Sequence, residues 1–326
     1  MNCEILHTLY VRSNGDVPCN DDAGESVLLG RIRQDNRWTV DSLLFNHRYR
    51  HIRTALVSGR MPWPDVCPTC AFFRPNEPYV DHLAHKWLRK IQVEPSLACR
   101  LRCPGCSNGV QARVRPGPLQ MEVGLFERLL DAMKQAQFAI GEFEYCGQGE
   151  PLLHPRFPEF VRLVTEYFPL THQRLITSGN FDYAATLGTD VPREIMVSCD
   201  GVYASSYERY RMGGRVHRPI QFMRDAVRGL GGASPTVIWK YILFEWNDRL
   251  DEIAAAQELA QEIGVAALLF VYTHSVGKSK RYTLDNRSEF PIHHPNVVTN
   301  ATPVHYRESD EPVSLPATPG ALAGVG

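Results

Sequence analysis

The chain has no apolar run approaching the ~20 residues that a membrane-spanning helix requires. Its first residues lack the basic, apolar and small-residue succession of a secretory leader, so the expected location is the cytoplasm. It also has almost no net charge. The 35 Lys and Arg nearly balance the 36 Asp and Glu, leaving −1 and excluding the broad basic field that drives nonspecific binding to nucleic acid phosphates. Neither nucleic acid nor a membrane is therefore an expected partner, although a local basic patch is compatible with that balance. No internal repeat is evident. With 326 residues, 44% of them hydrophobic and 22% charged, the chain has room for one large domain and a smaller one around a sizeable core.

Cysteine, by contrast, is plentiful. Nine cysteines in a chain of this size do not suit a disulfide framework, which belongs to small secreted domains. The count is odd, and two Cys-x2-Cys pairs occur, Cys67/Cys70 and Cys103/Cys106, a usage that points to metal or cluster ligation. Cys99, Cys103 and Cys106 lie in Cys-Arg-Leu-Arg-Cys-Pro-Gly-Cys, with gaps of three and two residues. Three thiolates so close can hold three irons of a cubane cluster and leave the fourth iron open to a small chelating molecule. The same spacing serves zinc if a distant residue completes the tetrahedron.

The organisation along the chain changes once. Residues 1–75 begin with a strand over Leu6–Arg12, the Asn14-Gly15-Asp16 turn and a short strand into Cys19. Asp41–Leu56 has helical spacing, and prolines punctuate the approach to Cys67 and Cys70. After a linker at 76–86, strands and helices alternate over 87–282. Strands are expected at Lys90–Pro95, Glu142–Cys146, Arg174–Thr177, Ile195–Ser198, Val237–Phe244 and Ala267–Tyr272. Helices are expected at Glu122–Gln137, Phe157–Phe168 and Arg249–Ile263. That alternation predicts an α/β fold with a parallel sheet, whose ligands sit in the loops after the strands. Beyond Tyr282 the periodicity fades into a C-terminal extension, 283–326, and Pro312–Gly326 has a disordered composition.

The loop after the second strand reads Gly147-Gln148-Gly149-Glu150-Pro151. Its position, one helix and one strand after the cysteine triplet, resembles the radical S-adenosylmethionine (SAM) superfamily over about Trp87–Tyr272. The resemblance implies a partial (β/α)6 barrel in which Cys99, Cys103 and Cys106 hold a [4Fe–4S] cluster. It also implies that Gly147, Gly149, Glu150 and Pro151 bind the amino group of SAM. Ser178 and Asn180 fall where such enzymes contact the ribose. Ser198 and Asp200 end the fourth strand similarly, and Arg211 falls near the carboxylate in some members. Two departures stand out: Gly105 replaces a common aromatic before the third cysteine, and no adenine motif is recognisable around Val237–Phe244.

The first segment is similar to the SPASM type of auxiliary cluster domain, here placed in front as a small α+β unit. That similarity implies a second, auxiliary [4Fe–4S] cluster on Cys3, Cys19, Cys67 and Cys70, where a closed zinc site of four thiolates is the alternative.

The activity implied is reductive cleavage of SAM to a 5′-deoxyadenosyl radical, which abstracts hydrogen from an unactivated carbon of a small-molecule or peptide substrate. A one-electron reductant such as a flavodoxin or ferredoxin would supply the cluster. With an auxiliary cluster as electron acceptor the outcome is an oxidation or bond formation. An epimerase or a peptide-modifying maturase is the alternative within the class, and a noncatalytic zinc, iron–sulfur or nucleic-acid-binding protein the alternative outside it. Cys146 and Cys199 end strands beside the expected pocket and read as small buried packing residues or as hydrogen donors. His154 reads as a capping or surface histidine.

Overall fold

The computed structural model describes residues 1–20, 27–35, 38–229, 232, 234–273 and 275–300. Eight strands form one sheet: β1 (Thr8–Val11), β2 (Trp87–Val93), β3 (Ala139–Tyr145), β4 (His172–Thr177), β5 (Glu194–Ser198), β6 (Thr236–Ile242), β7 (Ala267–Val271) and β8 (Val297–Thr299). They lie side by side in chain order, and every neighbouring pair is parallel. Parallel neighbours require crossovers. Helices Val123–Gln135, Phe157–Tyr167, His217–Val227 and Leu250–Ile263 lie in four of them. The expected α/β class with a parallel sheet is what forms.

Alternation along each strand separates two chemistries. Ile91, Val93, Phe143, Tyr145, Val197 and Trp239 face the helices and belong to the main apolar core. Phe126 and Phe160 stack there across two helices, with centroids 4.8 Å apart. The alternate positions are strongly polar at their centre. Lys90 Nζ meets Glu144 at 2.9 Å, and Arg174 bridges Glu142, Glu144 and Glu194. Most parallel sheets are apolar on both faces. Here this second face carries paired charges beside an apolar cluster of Met196, Ile238 and Ala267, and its strands lead on to Glu94, Cys146, Ser178, Ser198 and Asp200.

Three departures from the expected elements have local causes. The single helix over Asp41–Leu56 is two, Val40–Leu44 and His47–Val57. Asn46 interrupts it because its side chain accepts from Arg48 N at 2.8 Å and Tyr49 N at 3.1 Å, a cap that needs extended backbone at residue 46. The sheet exceeds six strands at both edges. β8 lies where the periodicity had faded, its three residues being too few to carry an alternation. β1 belongs to the first segment, pairing Thr8 with Lys90 and Val11 with Val93. Segment 1–75 and the alternating region thus share one sheet and one core. No helix among the described residues is long and apolar enough to cross a membrane. Pro312–Gly326 lies outside the described residues.

Candidate functional site

The site is built where the strands end. Glu94, directly after β2, is buried and gathers three segments. Its carboxylate takes both Arg115 guanidinium nitrogens at 2.8 and 2.9 Å, Gln148 N at 2.8 Å and Ser13 N at 3.2 Å. A bidentate arginine and two backbone donors satisfy a buried carboxylate, which would otherwise be costly to desolvate. Glu94 was missed from the sequence because nothing local marks a strand-end glutamate as a junction.

The Gly147–Pro151 loop lies against the chain that leads into the cysteines. Glu150 N donates to Ala98 O at 2.9 Å. A Cβ at Gly149 would overlap Ser96 O and come within 2.5 Å of Leu97 backbone atoms, and one at Gly147 would stand 2.6 Å from the Glu94 side chain. Glycine is required at both for close backbone approach. Pro151 opens a short 3-10 turn, Pro151–Leu153, capped by Glu150. The Glu150 carboxylate is buried and spent internally, accepting from Thr177 Oγ1 at 2.7 Å, Ser178 N at 2.9 Å and Leu152 N at 3.3 Å. Burial pushes its pKa up, against the pull of these donors. Its side chain therefore joins the loops after β3 and β4, which leaves backbone groups as the loop's ligand-facing chemistry.

The remaining expected residues fall at neighbouring strand ends. Asn180 donates to the Tyr207 hydroxyl at 2.7 Å and accepts from Arg215 N at 3.0 Å. Ser198 is buried at the end of β5, opposite Lys240. Asp200, fully buried, accepts from Ile242 N at 2.8 Å and from Arg211 Nε at 2.6 Å. The Arg211 side chain is mostly buried, and its Nη1 lies 4.0 Å from Cys103 Sγ. His154 is buried, not superficial; Nε2 lies 2.9 Å from Met121 O, and Nδ1 accepts from Arg156 N at 3.1 Å. Cys199 is buried and donates to Gly201 O at 3.3 Å, whereas Cys146 lines a small cavity with Tyr10, Arg12, Gln92 and Gln148.

All nine cysteines are free thiols. Cys99, Cys103 and Cys106 are electrostatic neighbours, as are Cys3, Cys19, Cys67 and Cys70. Burial pushes the Cys99 and Cys19 thiols up to about 11 and raises Cys3, Cys67 and Cys103 as well. Without a metal these groups stay protonated at neutral pH, and ligation would release the protons. Among the described residues no three His, Cys, Asp or Glu side chains converge on one point that would hold a single metal ion. A cubane makes a different demand, because each thiolate meets a different iron.

Donors aimed at sulfur fit a cluster further. Val27 N lies 3.2 Å from Cys19 Sγ, Asn20 Nδ2 lies 3.4 Å from Cys70 Sγ, and Asn108 N lies 3.4 Å from Cys106 Sγ. The Tyr49 hydroxyl is wholly buried, has no hydrogen-bond partner among the described residues, and has Cys19 and Cys3 among its electrostatic neighbours. Hydrogen bonds to sulfur are a protein's means of tuning such centres. The missing aromatic at Gly105 is supplied from elsewhere in the chain. A Cβ there would sit 3.0 Å from the Tyr210 hydroxyl, and Tyr210 packs at a tilt against Phe244, centroids 4.3 Å apart, beside Cys103.

No family model matches the chain. Over 96 residues it is 32% identical to the S-adenosyl-L-methionine-dependent 2-deoxy-scyllo-inosamine dehydrogenase of Niallia circulans, a match covering 29% of this chain and 37% of that protein. Its fold is similar to that of Streptococcus suis SuiB bound to the precursor peptide SuiA, with a TM-score of 0.50 and 13% identity over 90% of this chain and 71% of SuiB. SuiB has also been solved bound to S-adenosylmethionine; that likeness covers 61% of this chain and 45% of SuiB, with 15% identity and a TM-score of 0.48. The likeness to SuiB with its precursor peptide concerns the fold, and the sequence match to the dehydrogenase covers 37% of that protein's length.

Proposed function

We propose that the chain is a radical SAM oxidoreductase acting on a small polar substrate. The observation that carries it is the junction of Gly147–Pro151 with the cysteine loop, where Glu150 N bonds to Ala98 O and Arg211 reaches Cys103. Cys99, Cys103 and Cys106 would hold a [4Fe–4S] cluster with one open iron, and Cys3, Cys19, Cys67 and Cys70 a second, closed one in a SPASM-like segment. When bound, the first cluster and SAM would supply radical chemistry at a carbon–hydrogen bond of the substrate, and the second cluster electron-transfer chemistry.

The chain's own residues orient and seal that chemistry. Glycines at 147 and 149 let backbone groups meet the methionine part of SAM. Glu94 and Glu150 fix the loop from both sides without offering it a free charge. Asp200 holds Arg211 at the triplet, where a guanidinium suits a carboxylate ligand. Ser178, Asn180 and Ser198, polar residues at adjacent strand ends, would lie toward the ribose.

Gln92, Ser198 and Lys240, buried polar residues near the strand ends, support a polar substrate in preference to an apolar one. The dehydrogenase match over 96 residues supports oxidation of such a molecule.

Anaerobic reconstitution followed by incubation with SAM and dithionite tests this reading. Iron, sulfide and 5′-deoxyadenosine are expected together, and Cys103→Ala is expected to abolish deoxyadenosine release. Zinc without sulfide, or cleavage that survives Cys103→Ala, would reject it.

A further inference from the structure

We propose that the Tyr49 hydroxyl donates a hydrogen bond to an inorganic sulfide of the group held by Cys3, Cys19, Cys67 and Cys70. That bond raises the group's affinity for an electron. This rests on the reading of the four cysteines as an iron–sulfur site and deepens it, naming the side chain that sets its potential.

The placement of Tyr49 follows from the strands beside it. The strand Asp16–Pro18 runs into Cys19 and pairs with Leu28–Arg31, and Cys19 N donates to Val27 O at 2.9 Å. Asn46, just ahead of the helix His47–Val57, donates to Leu29 O at 2.8 Å. Tyr49 stands three residues further on, so the helix brings it in against the strand pair that carries Cys19. Its side chain is 0% exposed and belongs to the same buried cluster as Cys3, Cys19, Leu29 and Cys67.

A buried hydroxyl with no hydrogen-bond partner is costly, and folded interiors seldom keep one. The Tyr49 hydroxyl has none among the described residues, and its neighbours of charge or sulfur are Arg53, Cys19, Cys3 and Asp81. A guanidinium cannot accept. Asp81 is engaged at both oxygens: Oδ2 accepts from Arg53 Nε at 2.6 Å and the Tyr79 hydroxyl at 3.3 Å, and Oδ1 from Ala84 N at 3.1 Å. The thiols have donors of their own, Val27 N on Cys19 and Asn20 Nδ2 on Cys70. The hydroxyl is left for an acceptor that arrives with the metal. A zinc ion brings none, because its four partners are the thiolates themselves. A [4Fe–4S] cubane brings sulfides, whose negative charge grows on reduction, so a donor there favours the reduced form. The group gains one electron; the hydroxyl keeps its proton and no covalent bond changes.

The test is an anaerobic redox titration of the reconstituted full chain, followed by electron paramagnetic resonance. It compares the parent with Tyr49→Phe and with 3-fluorotyrosine placed at position 49. Iron and sulfide are measured first, and about eight irons per chain are expected for two clusters. The triplet's cluster is the one whose signal changes when SAM is added, and it serves as the internal control. In Tyr49→Phe the equilibrium constant for reducing the other cluster is expected to fall about tenfold. For a one-electron couple that lowers the midpoint by about 59 mV. The fluorinated ring, nearly the same size and a stronger donor, is expected to raise the midpoint. If Tyr49→Phe loses iron, the fluorotyrosine comparison decides by itself.

Unmoved midpoints in the substituted chains would overturn the proposal. So would shifts of the same sign in both, because Tyr49 would then act through packing alone. An equal shift in the triplet's cluster would overturn it as well. About four irons per chain, with zinc in the four-cysteine group, fails the iron–sulfur reading itself and shows before any potential is measured.

Discussion

At the scale of single residues, the chemistry that shows in sequence is the chemistry that repeats at short spacing. The cysteine triplet and Gly147–Pro151 are local patterns, and the fold brings them together. Glu94 and Tyr210 act through contacts that include residues 50 or more positions away, and no local pattern announces them. His154 shows how a neutral, satisfied residue leaves a measurable mark. Burial lowers its pKa, Arg156 adds to that, and the Met121 carbonyl, Glu159 and Glu122 oppose it. The native state therefore gives up its proton at a lower pH than the unfolded chain, whose histidine titrates near ~6.5. Between the two values the unfolded chain binds more protons, so stability rises with pH and the gain is complete above ~6.5. Below the depressed native value this contribution is absent. Thermal midpoints taken from about pH 5 to about pH 7.5 should rise in the parent, and the rise should be smaller in His154→Gln, which can still donate to Met121 O. An unchanged slope in the variant would assign the pH dependence elsewhere.

At the scale of elements, strands and helices with a full turn or more of periodic pattern were legible to within a few residues. Phe157–Tyr167 and Leu250–Ile263 keep the expected faces, the second ending at left-handed Gly264 with φ +82°. What was not legible were the helix His217–Val227, elements too short to establish a period, such as Tyr183–Leu187 and Val297–Thr299, and the break inside 41–56. That break turns on one side chain. Asn46 caps His47–Val57 through two backbone donors and also donates to Leu29 O at 2.8 Å, so it anchors the helix to the strand Leu28–Arg31. Tyr49 on this helix carries the buried hydroxyl beside Cys19 and Cys3. Asn46→Ala should cost about 1–2 kcal/mol, the usual value of a lost cap. Calorimetry or denaturant titration would read that loss. Because the helix positions Tyr49, the variant should also release iron from the four-cysteine group faster under chelation, leaving the triplet's iron unaffected. Equal release from both groups would mean that the helix serves general stability alone.

At the scale of the whole molecule, the first segment and the alternating region share one hydrogen-bonded ladder, although their composition divides them. β1 supplies an edge that pairs with β2 from Thr8/Lys90 to Val11/Val93. Glu4 ion-pairs with Arg89, and Ser13 N completes the ligation of Glu94. Leu9 and Val11 are buried in the same core as Ile91 and Val93. A sequence pattern could not reveal this, because β1 is separated from its partner by the two cysteines of a Cys-x2-Cys pair, two helices and a linker. The SPASM-like assignment of residues 1–75 is then a statement about cluster binding and not about independent folding. Two perturbations separate these meanings. Full-length Cys67→Ala/Cys70→Ala removes thiols and leaves the ladder intact, so it should stay folded and fall from about eight irons per chain to about four, the content of one [4Fe–4S] cluster. A fragment of residues 76–300 removes the ladder's edge. It exposes the backbone of β2 along Lys90–Val93, uncovers apolar side chains and leaves Glu94 one donor short. That fragment should be poorly soluble, lack near-ultraviolet circular dichroism and melt without cooperativity. If it instead melts cooperatively and retains about four irons, the first segment is an appended module and the shared sheet contributes little.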